Sequence, residues 1–331
     1  MYQYVHNAFE EALPVMKILI RILLLLALLA LMVVLVPSAV PMALAEDTVA
    51  YPAYEPVELE AEIVIPISYE DKVPYAPIPE KFLPDNAGYV DPTISVRVEE
   101  MRVYDTDVTL VWVQIAHATQ LRTKQASPYP SKKEVRPDVI ARRVSSVLAI
   151  NDDWFMHRKE GYIVRNGEEL RTSYSEKYDS LIIDDKGDLH IIQKPTEEKI
   201  RAFEGTIIQA LAFGPGLVVD GEMVELNTSD EYAPNKPTQR LALCQMDSLS
   251  YLVVATAGGK ETPGSTGLTI PQMQQLCYDL GVKQAYNLDG GNSSSVILDD
   301  KKINSMGMKS VRSIGGILYF ITADPTVPRE E

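Results

Sequence analysis

The chain has 331 residues, of which 46% are hydrophobic, and its 46 acidic residues against 31 Lys and Arg give a net charge of −15. This length and apolar content allow one large domain or two small ones with a sizeable core. The negative charge excludes binding to nucleic acid through bulk electrostatics, which needs a basic footprint. Two cysteines exclude a disulfide-dense scaffold and a cysteine-built zinc site, and the four histidines form no HExxH pair. No residue spacing therefore predicts a metal site or a cofactor.

The first predicted element is an N-terminal export signal. An apolar run from Ile18 to Val36 is interrupted only by Arg21, and Ala43-Leu44-Ala45 follows it. Basic residues before an apolar stretch and a small-residue pattern after it are typical of a secretory signal. The run is also long enough to span a bilayer. We therefore interpret residues 1–45 as a signal peptide cleaved near Ala45 or as an uncleaved membrane anchor. Both place the rest of the chain outside the cytoplasm, secreted or anchored at the cell envelope of a bacterium.

Residues 46–91 differ in composition from the rest of the chain. They include eleven acidic residues, two basic residues and seven prolines, for a net charge of −9. Frequent prolines exclude a regular helix and favour extended, solvated backbone. The segment is predicted to be an acidic, Pro-rich linker, which leaves a net charge of −6 on residues 92–331.

The pattern becomes globular at residue 92. Residues 93–103 alternate in polarity and 108–116 are apolar, which predicts two strands. Pro137 opens a short helix, further strands are predicted between residues 162 and 192, and Thr269 caps a helix that ends at Gly281. Strands outnumber helices and much of the pairing is local. The sequence therefore predicts a single mixed α+β domain over 92–324, with a largely antiparallel sheet, a few packed helices and a tail at 325–331.

Four apolar runs end in polar or glycine-rich turns, where convergent polar groups tend to be presented. The turn after Leu288 is the most informative, because it begins with Asp289 and continues through two glycines, an asparagine and serines. Glycines allow positive φ, and Asn and Ser side chains with backbone N–H groups can surround an anionic oxygen. The residues alone leave open whether this turn is such a site or a solvated hairpin turn. The other three turns follow Ile150, Phe213 and Ala255.

An ordered series of motifs resembles the phosphodiester glycosidase domain family over about residues 136–322. The series comprises Ala149-Ile150-Asn151, Phe213-Gly214-Pro215 through Asp220-Gly221, Gln239-Arg240, Thr266-Gly267-Leu268-Thr269, Leu280-Gly281-Val282, Asn287-Leu288-Asp289-Gly290-Gly291-Asn292-Ser293-Ser294 and Arg312. The resemblance implies hydrolysis at the anomeric carbon of a sugar 1-phosphodiester, with release of a sugar and a phosphomonoester. On this basis we expect a glycosyl phosphodiester or an envelope glycan as the substrate, and neither nucleic acid nor a cofactor as a partner.

The resemblance also suggests roles for individual residues. A carboxylate must stabilise an oxocarbenium-like centre or activate water, and Asp289 is the first candidate, followed by Asp152. Arg240 can grip the phosphodiester through two hydrogen bonds, assisted by Arg312. The other expected substrate-binding residues are Asn151, Gly290, Gly291, Asn292, Ser293 and Ser294.

Some positions depart from the family pattern. Asp152 stands where a glycine is expected, and the segments after Arg240, Ala255 and Arg312 also differ. These departures motivate an alternative function, a non-catalytic module that binds envelope glycan on an acidic tether. Cys244 and Cys277 leave two alternatives open, a disulfide in an exported protein or a pair of buried thiols.

Overall fold

Antiparallel strands form the framework of the protein. The computed structural model describes residues 50–59, 67–69, 72–227, 233–259, 262–305 and 307–329. Every strand pair in these residues is antiparallel. The strands are β1 (Gly88–Asp91), β2 (Ile94–Val103), β3 (Thr106–Ile115), β4 (Leu121–Gln125), β5 (Leu148–Asn151), β6 (Tyr162–Arg165), β7 (Glu168–Thr172), β8 (Ser180–Asp184), β9 (Leu189–Ile192), β10 (Ile207–Ala212), β11 (Gly216–Val219), β12 (Glu222–Met223), β13 (Leu241–Asp247), β14 (Ser250–Thr256), β15 (Gln284–Leu288), β16 (Val296–Leu298), β17 (Lys301–Lys302) and β18 (Gly316–Phe320).

These strands form three sheets. The largest has eight strands in the order β1-β2-β3-β14-β13-β15-β11-β12. The two five-stranded sheets have the orders β7-β6-β10-β8-β9 and β17-β16-β5-β18-β4. The main core lies between the sheets, and it contains Val253 of β14, Leu211 of β10 and Leu318 of β18. The prediction of an α+β fold with largely antiparallel pairing is confirmed.

The eight-stranded sheet is covered on both faces. Along β14, Tyr251, Val253 and Ala255 face the core shared by the sheets, whereas Leu252 and Val254 pack in a second cluster with helix α3. Side chains alternate between the faces of a strand, so a strand with two covered faces reads as a continuous apolar run. This accounts for the unbroken run that precedes the turn at residue 256.

The helices are α1 (Pro137–Arg143), α2 (Glu197–Arg201) and α3 (Ile270–Asp279). Helix α1 begins at the predicted proline. Helix α3 begins after Thr269, whose hydroxyl accepts a hydrogen bond from the backbone N–H of Gln272, and the Gln272 side chain bonds back to the Thr269 backbone. This reciprocal capping box satisfies two N–H groups that the first helical turn leaves open. Gly281 follows the helix at φ 72°, as expected for a helix end.

The acidic segment differs from the prediction of a linker, because its described residues lie against the domain. The compact unit begins at Tyr51 rather than at residue 92. The Tyr51 hydroxyl donates to Asp279 at 3.0 Å, the Tyr54 ring stacks on Trp112 at 6.1 Å, and Val73 is 4% exposed. Its described residues include two short 3₁₀ turns, Pro79–Lys81 and Pro84–Asn86. Some of its aromatic and aliphatic residues bury apolar area on the sheets, which a solvated linker would leave exposed.

Residues 1–49 lie outside the described residues, and with them the predicted signal or anchor. In the described part of the chain, no helix has the length and apolarity needed to cross a membrane.

Candidate active site

A cavity of about 910 Å³ opens where several strand ends meet. The loop after β5 and the loop after β15 supply most of its wall, and residues preceding β8 and β18 and following β10 complete it. Three of the four predicted turns therefore converge near this cavity, and the fourth, after β14, does not contribute to its lining. The lining residues are Trp154, His157, Arg158, Lys159, Glu160, Lys177, Tyr178, Phe213, Asp289, Gly290, Gly291, Asn292, Ser293 and Arg312.

Asp289 is the less exposed of the two carboxylates that line this cavity, since Glu160 is exposed. It follows the last residue of β15, so the buried strand fixes its backbone. Burial raises its pKa from 3.8 to about 6, against the opposing effects of the Ser293 hydroxyl bond, the charges of Arg158 and Arg312, and the Gly290 backbone N–H. Desolvation disfavours the charged form, while donors and cations favour it. A carboxylate that titrates near pH 6 can be ionised at neutral pH and still accept a proton.

The two glycines after Asp289 lie where the backbone of this turn comes close to Gln239. A side chain at Gly290 would place its Cβ 2.6 Å from the Gln239 carbonyl oxygen, and Gly291 has φ 56°. The N–H of Gly291 donates to that same carbonyl at 2.8 Å. Gly290 is therefore required by the contact between this turn and the segment that precedes β13, whereas Gly291 has open space around its Cα and is favoured by its positive φ.

The predicted nest of backbone donors is not what this turn provides. The N–H groups of Gly291, Ser293 and Ser294 donate to the carbonyls of Gln239, Gly290 and Gly291, respectively. Ser294 is fully buried, and its hydroxyl accepts from Asn304 at 3.3 Å. The turn is a short 3₁₀ helix whose internal bonds use the N–H groups of Ser293 and Ser294, while the N–H of Gly291 is used by the segment before β13. Asn292 and Ser293 do line the cavity, so two of the three expected polar side chains reach it.

Asn151, at the end of β5, is hydrogen-bonded to the turn that follows β15. Its Nδ2 donates to the Asp289 carbonyl at 2.8 Å, and its Oδ1 accepts from the Ser295 backbone N–H at 2.9 Å. It is 1% exposed and is absent from the cavity lining. Asn151 therefore holds the turn that begins at Asp289 against β5. It does not contact the cavity, although it was expected to bind substrate there.

Asp152 is buried behind the cavity rather than in its wall. It is 4% exposed, and its Oδ1 accepts from the Trp154 backbone N–H at 3.2 Å. Burial, followed by the neighbouring Asp153, raises its pKa from 3.8 to about 7, against the charge of Arg165. Asp153 is fully buried and pairs with Arg165 at 2.5 Å. Of the two adjacent carboxylates, Asp153 therefore belongs to a structural ion pair and Asp152 shapes the following turn.

Trp154 forms one wall of the cavity. Its backbone is left-handed at φ 55°, a conformation that the hydrogen bond to Asp152 holds in place. Its ring stacks on the His157 ring at 5.0 Å, and His157 in turn bonds to Glu134 at 2.9 Å. The aromatic ring is thus held at a defined angle by the turn beneath it and by the imidazole beside it.

Two arginines bring positive charge to the cavity. The Arg158 guanidinium lies 4.1 Å from the Tyr178 ring and 4.3 Å from the Phe213 ring, and its Nη1 donates to the Ala212 carbonyl at 3.0 Å. Arg312 is exposed at the edge. Arginines supply planar donors that match phosphate oxygens. Arg312 was expected at the site, whereas Arg158 was missed.

Arg240 does not line the cavity, contrary to its predicted role as the phosphate ligand. It is 4% exposed, its Nε donates to the Leu268 carbonyl at 3.0 Å, and its Nη2 donates to the carbonyls of Ala233 and Lys236 at 2.9 Å. Burial lowers its pKa to about 10. Arg240 directly follows Gln239, whose carbonyl contacts Gly290. Its hydrogen bonds therefore stabilise the backbone against which Gly290 packs.

In the described part of the chain, no three His, Cys, Asp or Glu side chains are grouped so that they could hold a metal ion.

The phosphodiester glycosidase family profile matches residues 145–321, more than half of the chain. The chain belongs to the phosphodiester glycosidase family. This membership makes it a glycosidase-type hydrolase, as the sequence predicted. The match spans β5 to the end of β18, and therefore every residue of the cavity wall.

One solved structure supports the fold, and a second has a lower similarity. The catalytic domain of zebrafish N-acetylglucosamine-1-phosphodiester alpha-N-acetylglucosaminidase, auto-inhibited by its pro-peptide, matches with a TM-score of 0.57 at 14% identity, over 83% of this chain and 96% of that chain. A Synechocystis protein matches with a TM-score of 0.48 at 14% identity, over 70% of this chain and 62% of that one. No protein with a curated description matches the chain.

Proposed function

We propose that the protein hydrolyses the glycosidic bond of sugar 1-phosphodiesters in phosphodiester-linked glycopolymers of the bacterial cell envelope, outside the cytoplasm. The observation that carries the proposal is the meeting of Asp289, Arg158, Arg312 and an aromatic wall in one cavity of a phosphodiester glycosidase. The extracytoplasmic location rests on the apolar run at 18–36 and the small-residue motif at 43–45.

The reaction needs one carboxylate beside the anomeric carbon. The bond from C1 to the phosphate oxygen breaks, and water supplies OH to C1 and a proton to the phosphomonoester. The phosphomonoester anion that departs from C1 is already a good leaving group, so the protein has little need to protonate it. Asp289, ionised, stabilises the positive charge that develops at C1 or activates the water. Arg158 and Arg312 hold the anionic phosphate, and the face of Trp154 packs against the sugar ring.

The direct test replaces Asp289 and a matched aspartate. We expect purified protein to release free sugar and phosphomonoester from at least one of a panel of sugar 1-phosphodiesters. Asp289→Asn should lower kcat by about 10³-fold or more, because it removes the charge at the reacting centre. Asp299→Asn is the control, since Asp299 is exposed and pairs with Lys301 on the β16–β17 hairpin.

The outcome also decides between hydrolysis and the alternative function. Turnover that survives Asp289→Asn would remove the catalytic role of Asp289. Binding of a sugar 1-phosphodiester without any turnover by the unmodified protein would favour the non-catalytic glycan-binding module.

A further inference from the structure

A second cavity, of about 320 Å³, lies away from the candidate active site and is lined by cations. Four of them stand at its rim, and they come from segments far apart in sequence: Lys72, Lys124, Arg143 and Arg329. Among the described residues that line this cavity there is no carboxylate. Throughout the described residues, none of these four side chains forms an ion pair, whereas the adjacent Arg142 pairs with Asp300 at 2.9 Å. A group of like charges on a protein of net charge −15 is unusual, and an anion between them would relieve their repulsion.

The floor of this basic cavity is rigid and polar. Arg122, Thr123 and Tyr319 are 2%, 2% and 3% exposed. The Arg122 guanidinium donates to the carbonyls of Thr119, Ile67 and Ser68 at 2.9, 3.1 and 2.6 Å. A floor built in this way does not collapse when the rim side chains move, so the cavity persists as a site of fixed shape.

The basic cavity continues toward the candidate active site. A neighbouring hollow of about 360 Å³ shares Lys124 and Arg143 with it and extends to Tyr129, with Glu168 also in its wall. The Tyr129 ring stacks on Phe155 at 5.9 Å, and Phe155 directly follows Trp154 of the catalytic cavity. Phe155 itself is fully buried. The contact therefore joins Tyr129, in the wall of the hollow, to the loop that supplies Trp154 to the catalytic cavity.

We propose that the basic cavity binds a second phosphate of a phosphodiester-linked glycopolymer, at a distance from the diester that reacts. The four rim cations bind the phosphate charge, and the volume holds a phosphate with about one sugar or polyol unit. This inference rests on the proposed function for the nature of the polymer. It makes the protein an enzyme that holds a chain at two points, which favours long substrates over short ones by raising the local concentration of the reacting unit.

Binding is measured first in a chain that cannot turn over. In an Asp289→Asn background, poly(glycerol phosphate) is titrated calorimetrically against the parent, a Lys124→Ala/Arg143→Ala variant and an Arg142→Ala control. We expect the double variant to bind roughly tenfold more weakly and to show a shallower dependence on salt, because it makes fewer phosphate contacts. The Arg142 control should match the parent. Equal affinity in all three would overturn the proposal.

Two further experiments are needed. The first distinguishes a glycopolymer from other sources of phosphate, and the second tests the proposed function independently of binding. Inorganic phosphate or anionic phospholipid vesicles that bind as tightly as the polymer, with the same loss in the double variant, would overturn the glycopolymer assignment. With Asp289 intact, the double variant should cleave a small sugar 1-phosphodiester at the unmodified rate. Absence of any cleavage would count against the proposed function alone, since the titration needs no turnover.

Discussion

At the scale of one residue, burial and neighbouring cations together determine the pKa of Asp289. Desolvation raises its pKa, and the Ser293 hydroxyl, Arg158 and Arg312 oppose that effect, so that its pKa is about 6. The same cations attract the phosphate of a substrate. One arrangement of charges thus serves both the ionisation of the carboxylate and the binding of an anionic group.

The first prediction concerns the pH dependence of hydrolysis. If ionised Asp289 is required, kcat/KM rises with pH and reaches half of its plateau near pH 6 in the free enzyme, because below that value the carboxyl group is protonated. Arg312→Gln should move this midpoint upward, since it removes a cation that lowers the pKa. Initial rates between pH 4 and 8 measure both effects. A flat profile across that range would contradict the role given to Asp289.

Asp152 and Asp153 are adjacent, yet substitutions to Asn should have opposite effects on stability. The folded-state pKa of Asp152 is about 7, above its unfolded value, so the folded protein binds a proton that the unfolded chain releases, and stability falls as pH rises from about 4 to 7. Asp152→Asn keeps an oxygen for the Trp154 N–H and removes the buried charge. We expect it to raise stability by on the order of 2 kcal/mol at pH 8, with no gain near pH 4.

Asp153→Asn is the matched comparison. It leaves Arg165 buried without its carboxylate and should lower stability at pH 8 by about 3–5 kcal/mol. Thermal unfolding of the three proteins at pH 4 and pH 8 distinguishes the cases. A loss of stability in Asp152→Asn at pH 8 would show that its charge is needed by the fold.

Trp154 can be observed directly, because the chain has only one other tryptophan, Trp112. In a Trp112→Phe variant, a bound sugar 1-phosphodiester should change the emission of Trp154, while a Trp154→Phe variant, which retains Trp112, should show no change. Trp154→Ala should raise KM roughly tenfold through lost stacking, with a smaller effect on kcat. Unchanged emission on saturation with a hydrolysed substrate would place the sugar elsewhere.

At the scale of elements, the sequence predicts strands and caps better than it predicts which elements are neighbours. Alternating and apolar runs identify β2, β3 and β14, and the capping box of α3 is readable because Thr269 and Gln272 are three residues apart. The partners of β5 are not readable, since β16 and β18 are more than 140 residues away in the chain. A strand pattern fixes which side chains face inward, but it says nothing about which strand lies beside it.

The same limit explains the outcome for the site. Asp289 is predictable because a glycine-rich polar turn follows a buried strand. Arg240 was assigned wrongly to the cavity, since an arginine that holds backbone carbonyls and an arginine that holds a phosphate look alike in sequence. Arg158 was missed because it lies within a loop whose 3₁₀ turn at Phe155–His157 has no periodic pattern.

The packing of α3 on β13 gives a prediction for the two cysteines. The Cys244 and Cys277 sulfurs are 3.9 Å apart, both residues are fully buried, and burial raises the pKa of Cys244. Thiolate is the reactive form, so the native protein should resist iodoacetamide at pH 8. After denaturation without reductant, two adducts are expected by mass spectrometry. The absence of adducts under those conditions would mean that the cysteines form a disulfide instead.

At the scale of the whole molecule, the net charge of −15 proves to be unevenly distributed. Residues 46–91 carry −9 of it, yet the described part of this segment packs on the sheets. Cations gather at the catalytic cavity and at the basic cavity. Composition describes the charge of this segment but not its contacts, because a few aliphatic and aromatic residues such as Val73 and Tyr89 are buried while many of their neighbours stay exposed.

The domain boundary at Tyr51 leads to the last prediction. Tyr89 of β1 is fully buried, and its hydroxyl donates to Asp91 at 2.8 Å. Asp91 also accepts from the Thr93 backbone N–H at 2.7 Å and from the Thr322 hydroxyl at 2.5 Å. A chain that starts at residue 92 loses β1, the buried ring and this carboxylate, and leaves buried hydroxyl and N–H groups without their acceptor.

A chain of residues 51–331 should unfold at the same temperature as the full protein, since the compact unit begins at Tyr51. A chain of residues 92–331 should unfold at least about 10 °C lower, because loss of one buried aromatic side chain alone costs about 3–5 kcal/mol. Thermal unfolding followed by circular dichroism, with both chains at the same concentration and pH, measures the difference. If the two chains unfold at equal temperatures, the domain begins at residue 92 and residues 51–91 are the linker that their composition suggests.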